Sequence, residues 1–239
     1  MNILYLVTAR GGSKGIPKKN ICELGGMPLI AYRIISAKKS KYKGRIIVST
    51  DNLEIADTAK EYGAEVPFIR PSYLASDTAS SIDVVEHAIQ WIEDNDANKY
   101  DYLCLLQPTS PFVSYKDLNR SLDLIIENNA DTLIGVKRAE INRCFIQELD
   151  EHGRLSNFYY SLKNIKKVRR QDFEPEYTLN GGIYILSWKY FKKNKIFYST
   201  NSIPYIMEDI DSVDIDGPID FEFAKFLVER NVVDINLWK

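Results

Sequence analysis

The sequence predicts an α/β protein, a doubly wound and mostly parallel sheet with helices on its faces, and three observations carry that expectation. Strand-like apolar runs alternate with stretches of helical periodicity from Asn2 to Val136, the rhythm of parallel strands joined by right-handed crossovers. Three glycines and several cations follow directly on the first run, at the edge where open α/β sheets bind ligands. The chain has 239 residues, 45% of them hydrophobic, enough for one sizeable core, or one core with an appendage, rather than two large domains.

The elements follow in order. Asn2 to Thr8 is the first buried strand. Pro28 to Lys39 carries Leu29, Ile30, Ile34 and Ala37 at helical spacing. Arg45 to Ser49 reads as a strand, Asn52 to Tyr62 as a helix with Leu53, Ile55, Ala56 and Ala59 on one face, and Val66 to Ile69 as a third strand. Ser81 to Glu93 is a helix with Ile82, Val85, Ile89 and Ile92 inward; Tyr102 to Gln107, Tyr115 to Glu127 and Thr132 to Val136 repeat the alternation. The rhythm breaks over 138–175. There Phe145 to Leu149 and Arg154-Leu155 suggest a hairpin about the turn at Gly153, before a polar stretch that includes Lys163, Lys166, Lys167, Arg169 and Arg170. Gly182 to Ser187 and Ser212 to Ile215 return as strands, and Ile219 to Glu229 closes as a helix behind Gly217-Pro218. The expectation is one domain over 1–239, with 138–175 as an excursion from the sheet.

Composition narrows the function. Lys and Arg number 31 against 33 Asp and Glu, a net charge of −2, so no global basic field invites nucleic acid. The apolar runs fall far short of the ~20 residues that span a bilayer. Met1 leads straight into Ile3-Leu4-Tyr5-Leu6-Val7 with no basic leader, which reads as a strand and not a signal peptide. Cys22, Cys104 and Cys144 are odd in number and never in a CxxC pair, which suits a reducing cytoplasm with neither a disulfide frame nor a zinc site.

The first strand runs into Thr8-Ala9-Arg10-Gly11-Gly12-Ser13-Lys14-Gly15-Ile16-Pro17-Lys18-Lys19-Asn20. Glycines let backbone N–H groups approach an anion, and Arg10, Lys14, Lys18 and Lys19 supply charge, so phosphate is the natural occupant. The spacing fits neither G-x-G-x-x-G nor the Walker loop; the competing reading is an ordinary basic surface loop. Asp214 and Asp216, two apart on an expected strand, would turn both carboxylates to one side, and two hard oxygen ligands can hold Mg2+ together with substrate phosphates and water. The alternative there is a solvated acidic patch formed with Asp209, Asp211 and Asp220. His87, in an expected helix, and His152, in a turn, stand in no catalytic or ligating pattern, and Phe158, Tyr159 and Tyr160 read as core or interface.

Ala9 to Asn20, followed by Gly26-x-Pro28-Leu29-Ile30, resembles the acylneuraminate cytidylyltransferases, the enzymes that activate sialic-acid-type sugars as CMP conjugates, the legionaminic acid type among them. The resemblance continues in family order through Val48-Ser49-Thr50-Asp51, Arg70-Pro71, Ala75 to Ser81, Leu106-Gln107-Pro108-Thr109-Ser110-Pro111, Asn180-Gly181-Gly182-Ile183-Tyr184-Ile185 and Asp211 to Asp216. It covers nearly the whole chain and implies a Rossmann-like nucleotidyltransferase fold. It further implies that Arg10, Ser13 and Lys19 hold the nucleotide phosphates; that Asn20, Arg70 and Ser81 contact the cytidine; that Gln107, Thr109, Ser110, Asn180 and Arg170 lie at the sugar; and that Asp214 and Asp216 bind Mg2+.

The reaction so implied is attack of a sugar acid's anomeric hydroxyl on the α-phosphate of CTP, with pyrophosphate leaving, and Arg10, Lys19, Asp214 and Asp216 as the catalytic set. The acceptor is a nine-carbon 2-keto-3-deoxy acid, of the N-acetylneuraminate or legionaminate type. Where the resembling enzymes often carry arginine, this chain has Thr178 and Val113, which points away from N-acetylneuraminate itself and toward a 5,7-diamino relative. A homodimer built on the excursion is also implied. The rival readings are a nucleotidyltransferase for another sugar acid or nucleotide, such as a Kdo cytidylyltransferase, whose first loop differs, and a non-catalytic nucleotide sensor on the same fold.

Overall fold

The computed structural model describes residues 1–13, 15–163 and 173–239. In chain order they form β1 (Ile3–Thr8), a two-residue pair β2 (Glu23–Leu24) and β3 (Met27–Pro28), α1 (Leu29–Lys39), β4 (Gly44–Ser49), α2 (Leu53–Glu61), α3 (Ser81–Asn95), β5 (Tyr102–Leu106), α4 (Tyr115–Glu127), β6 (Thr132–Arg138), α5 (Ser156–Leu162), β7 (Tyr177–Ser187), α6 (Trp188–Asn194), β8 (Ser202–Ile206) and α7 (Pro218–Glu229).

Side-chain alternation along β1 builds both layers. Ile3, Tyr5 and Val7 face a core made with Ile30, Ile34, Leu118 and Leu122 from α1 and α4. Leu4 and Leu6 face the other way, onto Val85, Ile89 and Ile92 of α3. A third cluster around Leu24, Tyr32, Leu227 and Trp238 fastens α7 and the carboxyl end to α1. The helix starts are set locally. Asn52 accepts from the Ile55 N–H, Ser80 from Asp83, and Ser114 exchanges with Asp117 in a capping box, each cap worth about 1 kcal/mol.

The main sheet has the order β4-β1-β5-β7-β6-β8. β4, β1 and β5 are mutually parallel, as are β6 and β8, while β7 runs antiparallel to both β5 and β6. The carboxyl ends of β1, β4, β5 and β6 therefore share one edge with the amino end of β7, so Tyr177 to Gly181 and Lys137 reach the edge that also carries the glycine loop.

Four expectations need correction. Val66 to Ile69 is not a strand: Glu65 makes a single bridge to Ile47, and Pro67, which lacks an N–H, lies in the run that turns away toward Arg70. Ser212 to Ile215 is not a strand either; the Ile215 N–H donates to the Thr109 carbonyl at 2.8 Å instead of joining a ladder, so strand periodicity does not orient Asp214 and Asp216. The Phe145 to Leu155 hairpin is absent. In its place are a short 3-10 turn at Arg143–Phe145 and the helix α5, with the Asp150 carboxylate accepting from the His152 and Arg154 backbones around Gly153 in the left-handed region. Finally, Gly182 to Ser187 is the second half of a longer strand that begins at Tyr177.

Candidate active site

Two clefts open along the ligand-binding edge and meet at Gln107, which lines both. The first, of about 310 Å³, is walled by Arg10, Ser13, Lys19 and Asn20 from the loop after β1, by Arg70 and Ser81, and by Gln107 and Thr109 beyond β5. The second, of about 560 Å³, lies between Gln107, Asn180, Gly181, Asp214 and the start of α7. Lys14 and Arg170 lie outside the described residues.

The loop after β1 is held by its neighbours. The Gly11 N–H donates to the Asp51 carboxylate at 2.8 Å, and a side chain at Gly11 would meet Asn52 at 2.8 Å, so only glycine fits there. Asn20 is buried and donates to the Arg10 carbonyl at 2.9 Å. Lys19, its side chain only 13% exposed, donates to the carbonyl of Ile215 at 2.7 Å and stands 4.0 Å from the Asp216 carboxylate. Arg10 pairs with Asp77 at 2.8 Å, so an incoming phosphate would compete with a carboxylate for that guanidinium. Lys18 turns away, in the left-handed region, to pair with Glu54.

Arg70 is buried, and its Nε and Nη2 have no hydrogen-bond partner. Asp51, 3.8 Å from Nη2, is its nearest counter-charge. Burial pulls the guanidinium pKa down, against Asp51 and with help from Arg10. Buried donors left without acceptors are costly, and the residue that carries them lines the first cleft.

Asp214 is the more enclosed of the two aspartates. Burial, opposed by the Thr109 hydroxyl and reinforced by Asp216, raises its pKa, while Lys19 pulls it back. Ser110 is wholly buried and directs its hydroxyl toward Asp214 at 3.4 Å, so it braces the carboxylate instead of offering a free hydroxyl to a sugar. Asn180 is likewise engaged: its amide donates to Ser212 at 2.9 Å and accepts from Gly182 at 3.0 Å. It fixes the Asp-bearing segment against β7. Asp216 is 86% exposed, whereas Asp220 is spent on capping α7 through the Asp216 and Gly217 N–H groups. The five aspartates are therefore not one solvated patch.

Asp51 and Asp77 were given no role by sequence reasoning. Each lies in a recognisable segment, but only tertiary structure shows Asp51 bridging the glycine loop and Arg70. His87 packs edge-on against Phe68 with its pKa lowered by burial and by Arg70, and Cys104 is buried in β5 with its thiol pushed up by desolvation. The three cysteines are free, and among the described residues no helix is long and apolar enough to cross a membrane.

The loop of glycines and cations thus lies at the carboxyl edge of a mostly parallel sheet, where α/β proteins bind ligands, with Lys19 4.0 Å from Asp216. Residues 4–234 match the cytidylyltransferase family model, and the chain belongs to that family. It is 36% identical to a CMP-N,N'-diacetyllegionaminic acid synthase of Legionella pneumophila over 97% of this chain and 98% of that one. It is 34% identical to a pseudaminic acid cytidylyltransferase of Campylobacter jejuni over 97% and 98%. Among solved structures, a CMP:2-keto-3-deoxy-manno-octonic acid synthetase complexed with CTP superposes with a TM-score of 0.69 over 97% of this chain and 100% of that one; at 13% identity, that likeness speaks for the fold.

Proposed function

We propose that this chain transfers the CMP group of CTP to a nonulosonic acid of the diacylated, legionaminate type. The anomeric hydroxyl forms a new bond to the α-phosphorus, the bond to the bridging oxygen of pyrophosphate breaks, and the hydroxyl proton is released. The observation that carries this reading is the junction of the two clefts at Gln107, with Lys19 and Asp214 at hand. A nucleotide in the first cleft and a sugar acid in the second would meet there, and such a transfer needs positioning and charge neutralisation more than covalent help. Arg10, Ser13 and Lys19 bind the phosphates; Asn20, Arg70 and Ser81 receive the cytidine; Gln107, which lines both clefts, orients the acceptor, with Thr109, Ser110 and Asn180 acting through the groups they brace.

The donor set of Asp214 and Asp216 fits Mg2+. Both are hard oxygen ligands, the Asp214 carboxyl is raised by burial and by its neighbour, and a cation would relieve that. Among the described residues no three His, Cys, Asp or Glu side chains converge on a metal position, so an ion held by these two would need substrate phosphates and water to complete its shell. Bound there, Mg2+ would neutralise charge on the phosphates.

Incubation with each NTP, Mg2+ and candidate sugar acids, followed by assay of pyrophosphate, tests the reading. CTP with a nonulosonic acid should release it, and equal turnover with UTP or GTP would overturn the nucleotide assignment. The rival sensor reading predicts CTP binding with no pyrophosphate.

The enzyme is a cytoplasmic homodimer in this reading. Ile141, Ile146, Leu149, Leu155, Tyr159 and Tyr160 of the excursion are all exposed, an apolar surface that a second copy would cover. Arg170, outside the described residues, matches a sugar-site position in the resembling enzymes, so Arg170→Ala should weaken the sugar acid and spare CTP. A fully active monomer by light scattering would refute the dimer.

A further inference from the structure

The second cleft has an electrostatic problem. Glu140, Asp209, Asp214 and Asp220 all line it, yet a sugar acid arrives as an anion. Among the described residues one cation lines that cleft, Lys137. It sits near the carboxyl end of β6, at the edge where the sheet presents its ligand-binding loops. It pairs in register with Thr178 of β7, two residues ahead of Asn180, where the register between β6 and β7 shifts and Gly181 takes a positive φ. Directly opposed residues of an antiparallel pair project to the same face, and Thr178, short and neutral, leaves that side of the ladder to the lysine. The lysine's counter-charge is loose: Glu140 lies 3.7 Å away and is mostly exposed, beyond hydrogen-bond length. Lys137 is thus held near the cleft without being committed to a protein partner.

We propose that Lys137 is the specificity residue that receives the carboxylate of the acceptor sugar acid. The inference rests on the proposed function and deepens it. A C1 carboxylate is bonded to the carbon that carries the attacking hydroxyl, so the residue that holds it fixes how that hydroxyl faces the α-phosphate. The contact is an ammonium-to-carboxylate hydrogen bond. Such charge-assisted bonds are the strong ones, and a lysine's flexible stem can exchange Glu140 for the substrate.

The test uses the full-length protein, with N,N'-diacetyllegionaminic acid and its C1 methyl ester as probes, each titrated calorimetrically into wild type, Lys137→Met and Lys137→Arg. The ester keeps every hydroxyl and loses the charge. The acid should bind Lys137→Met about tenfold to a hundredfold more weakly than wild type, Lys137→Arg should recover most of the loss, and the ester should bind all three alike. The KM for CTP should stay within about twofold, because the nucleotide cleft does not include Lys137.

Equal binding of the acid by wild type and Lys137→Met would overturn the inference. So would an equal loss for acid and ester, which would make Lys137 a hydroxyl contact or a structural support. A wild type that binds the acid but releases no pyrophosphate with CTP would overturn the proposed reaction and leave the Lys137 result to be judged on binding. A wild type that binds neither probe would overturn both.

Discussion

Lys19 donates to the backbone carbonyl of Ile215 at 2.7 Å, joining residues 196 positions apart. That bond places one ammonium between the loop after β1 and the segment carrying Asp214 and Asp216, so the loop and that segment are assembled together. Lys19→Met should lower turnover by about 10²–10³, the scale seen when one transition-state charge contact is removed, with little change in sugar-acid affinity. Lys18→Ala should matter less, because Lys18 is paired with Glu54. Steady-state pyrophosphate assays decide this, and equal damage from the two variants would mean that the loop reading is wrong.

Asp216→Asn keeps size and removes a charge from an exposed carboxylate. Its Mg2+ requirement should rise and its turnover fall by orders of magnitude, with partial recovery at high Mg2+ and an unchanged melting temperature. Activity that is indifferent to Mg2+ in both wild type and variant would contradict the metal assignment.

Asp51 serves two groups, the Gly11 N–H and the Arg70 guanidinium. Asp51→Ala should free the glycine loop and leave Arg70 without its nearest counter-charge, raising the KM for CTP about tenfold. Discrimination against UTP should narrow as well, since a site that reads a base edge loses selectivity when its donors are misplaced. The ratio of kcat/KM for CTP and UTP in wild type and variant is the measurement.

Much of this arrangement was legible in the chain because hydrophobic period survives burial. Tyr115–Glu127 is a helix over the span its pattern gives, and β1 alternates between two cores as period two demands. Short apolar runs were ambiguous. Val66 to Ile69 and Ser212 to Ile215 have strand-like composition, but the latter's backbone binds Thr109 and Lys19 across the site, a long-range choice that local sequence does not encode. The strand β8 went unread because Pro204 interrupts it, which an edge strand tolerates. At the site, residue types and order pointed to the cleft. What they could not reveal was engagement: Ser110 and Asn180 resemble substrate contacts in the sequence, and the structure has already spent their polar atoms on Asp214, Ser212 and Gly182.

Arg33 is wholly buried and donates to the carbonyls of Val113 and Gly182 at 2.7 and 3.0 Å. Desolvation draws its pKa down to about 9, against the pull of Asp117. Arg33→Met fills the volume but leaves the Gly182 carbonyl, beside Asn180 and Gly181 in β7, without its donor and Asp117 without its nearby charge. Breaking a buried ionic network by removing one partner costs about 3 kcal/mol. Chemical denaturation should report that loss, and a midpoint within error of wild type would show that the network is not stabilising.

Asp211 gives the stability of the protein a pH dependence of definite sign. Burial, then the charges of Asp117 and Glu208, raise its pKa from 3.8 to about 6, with Arg120 acting the other way. The folded chain therefore holds this proton to higher pH than the unfolded chain does. Between those two values the native state binds more protons, so the contribution of Asp211 to stability is present in acid and is lost as pH rises through about 6. At neutral pH the ionised carboxylate is a net cost. Asp211→Asn keeps the shape and removes the charge, and should stabilise the protein at neutral pH by on the order of 1 kcal/mol once solvent screening of a half-buried group is allowed for. Near pH 4 the same substitution should gain nothing, because the native carboxyl is already protonated there. Thermal unfolding of wild type and variant across this range checks the claim: a stabilisation that is the same at both ends would mean that the effect comes from packing and not from the proton.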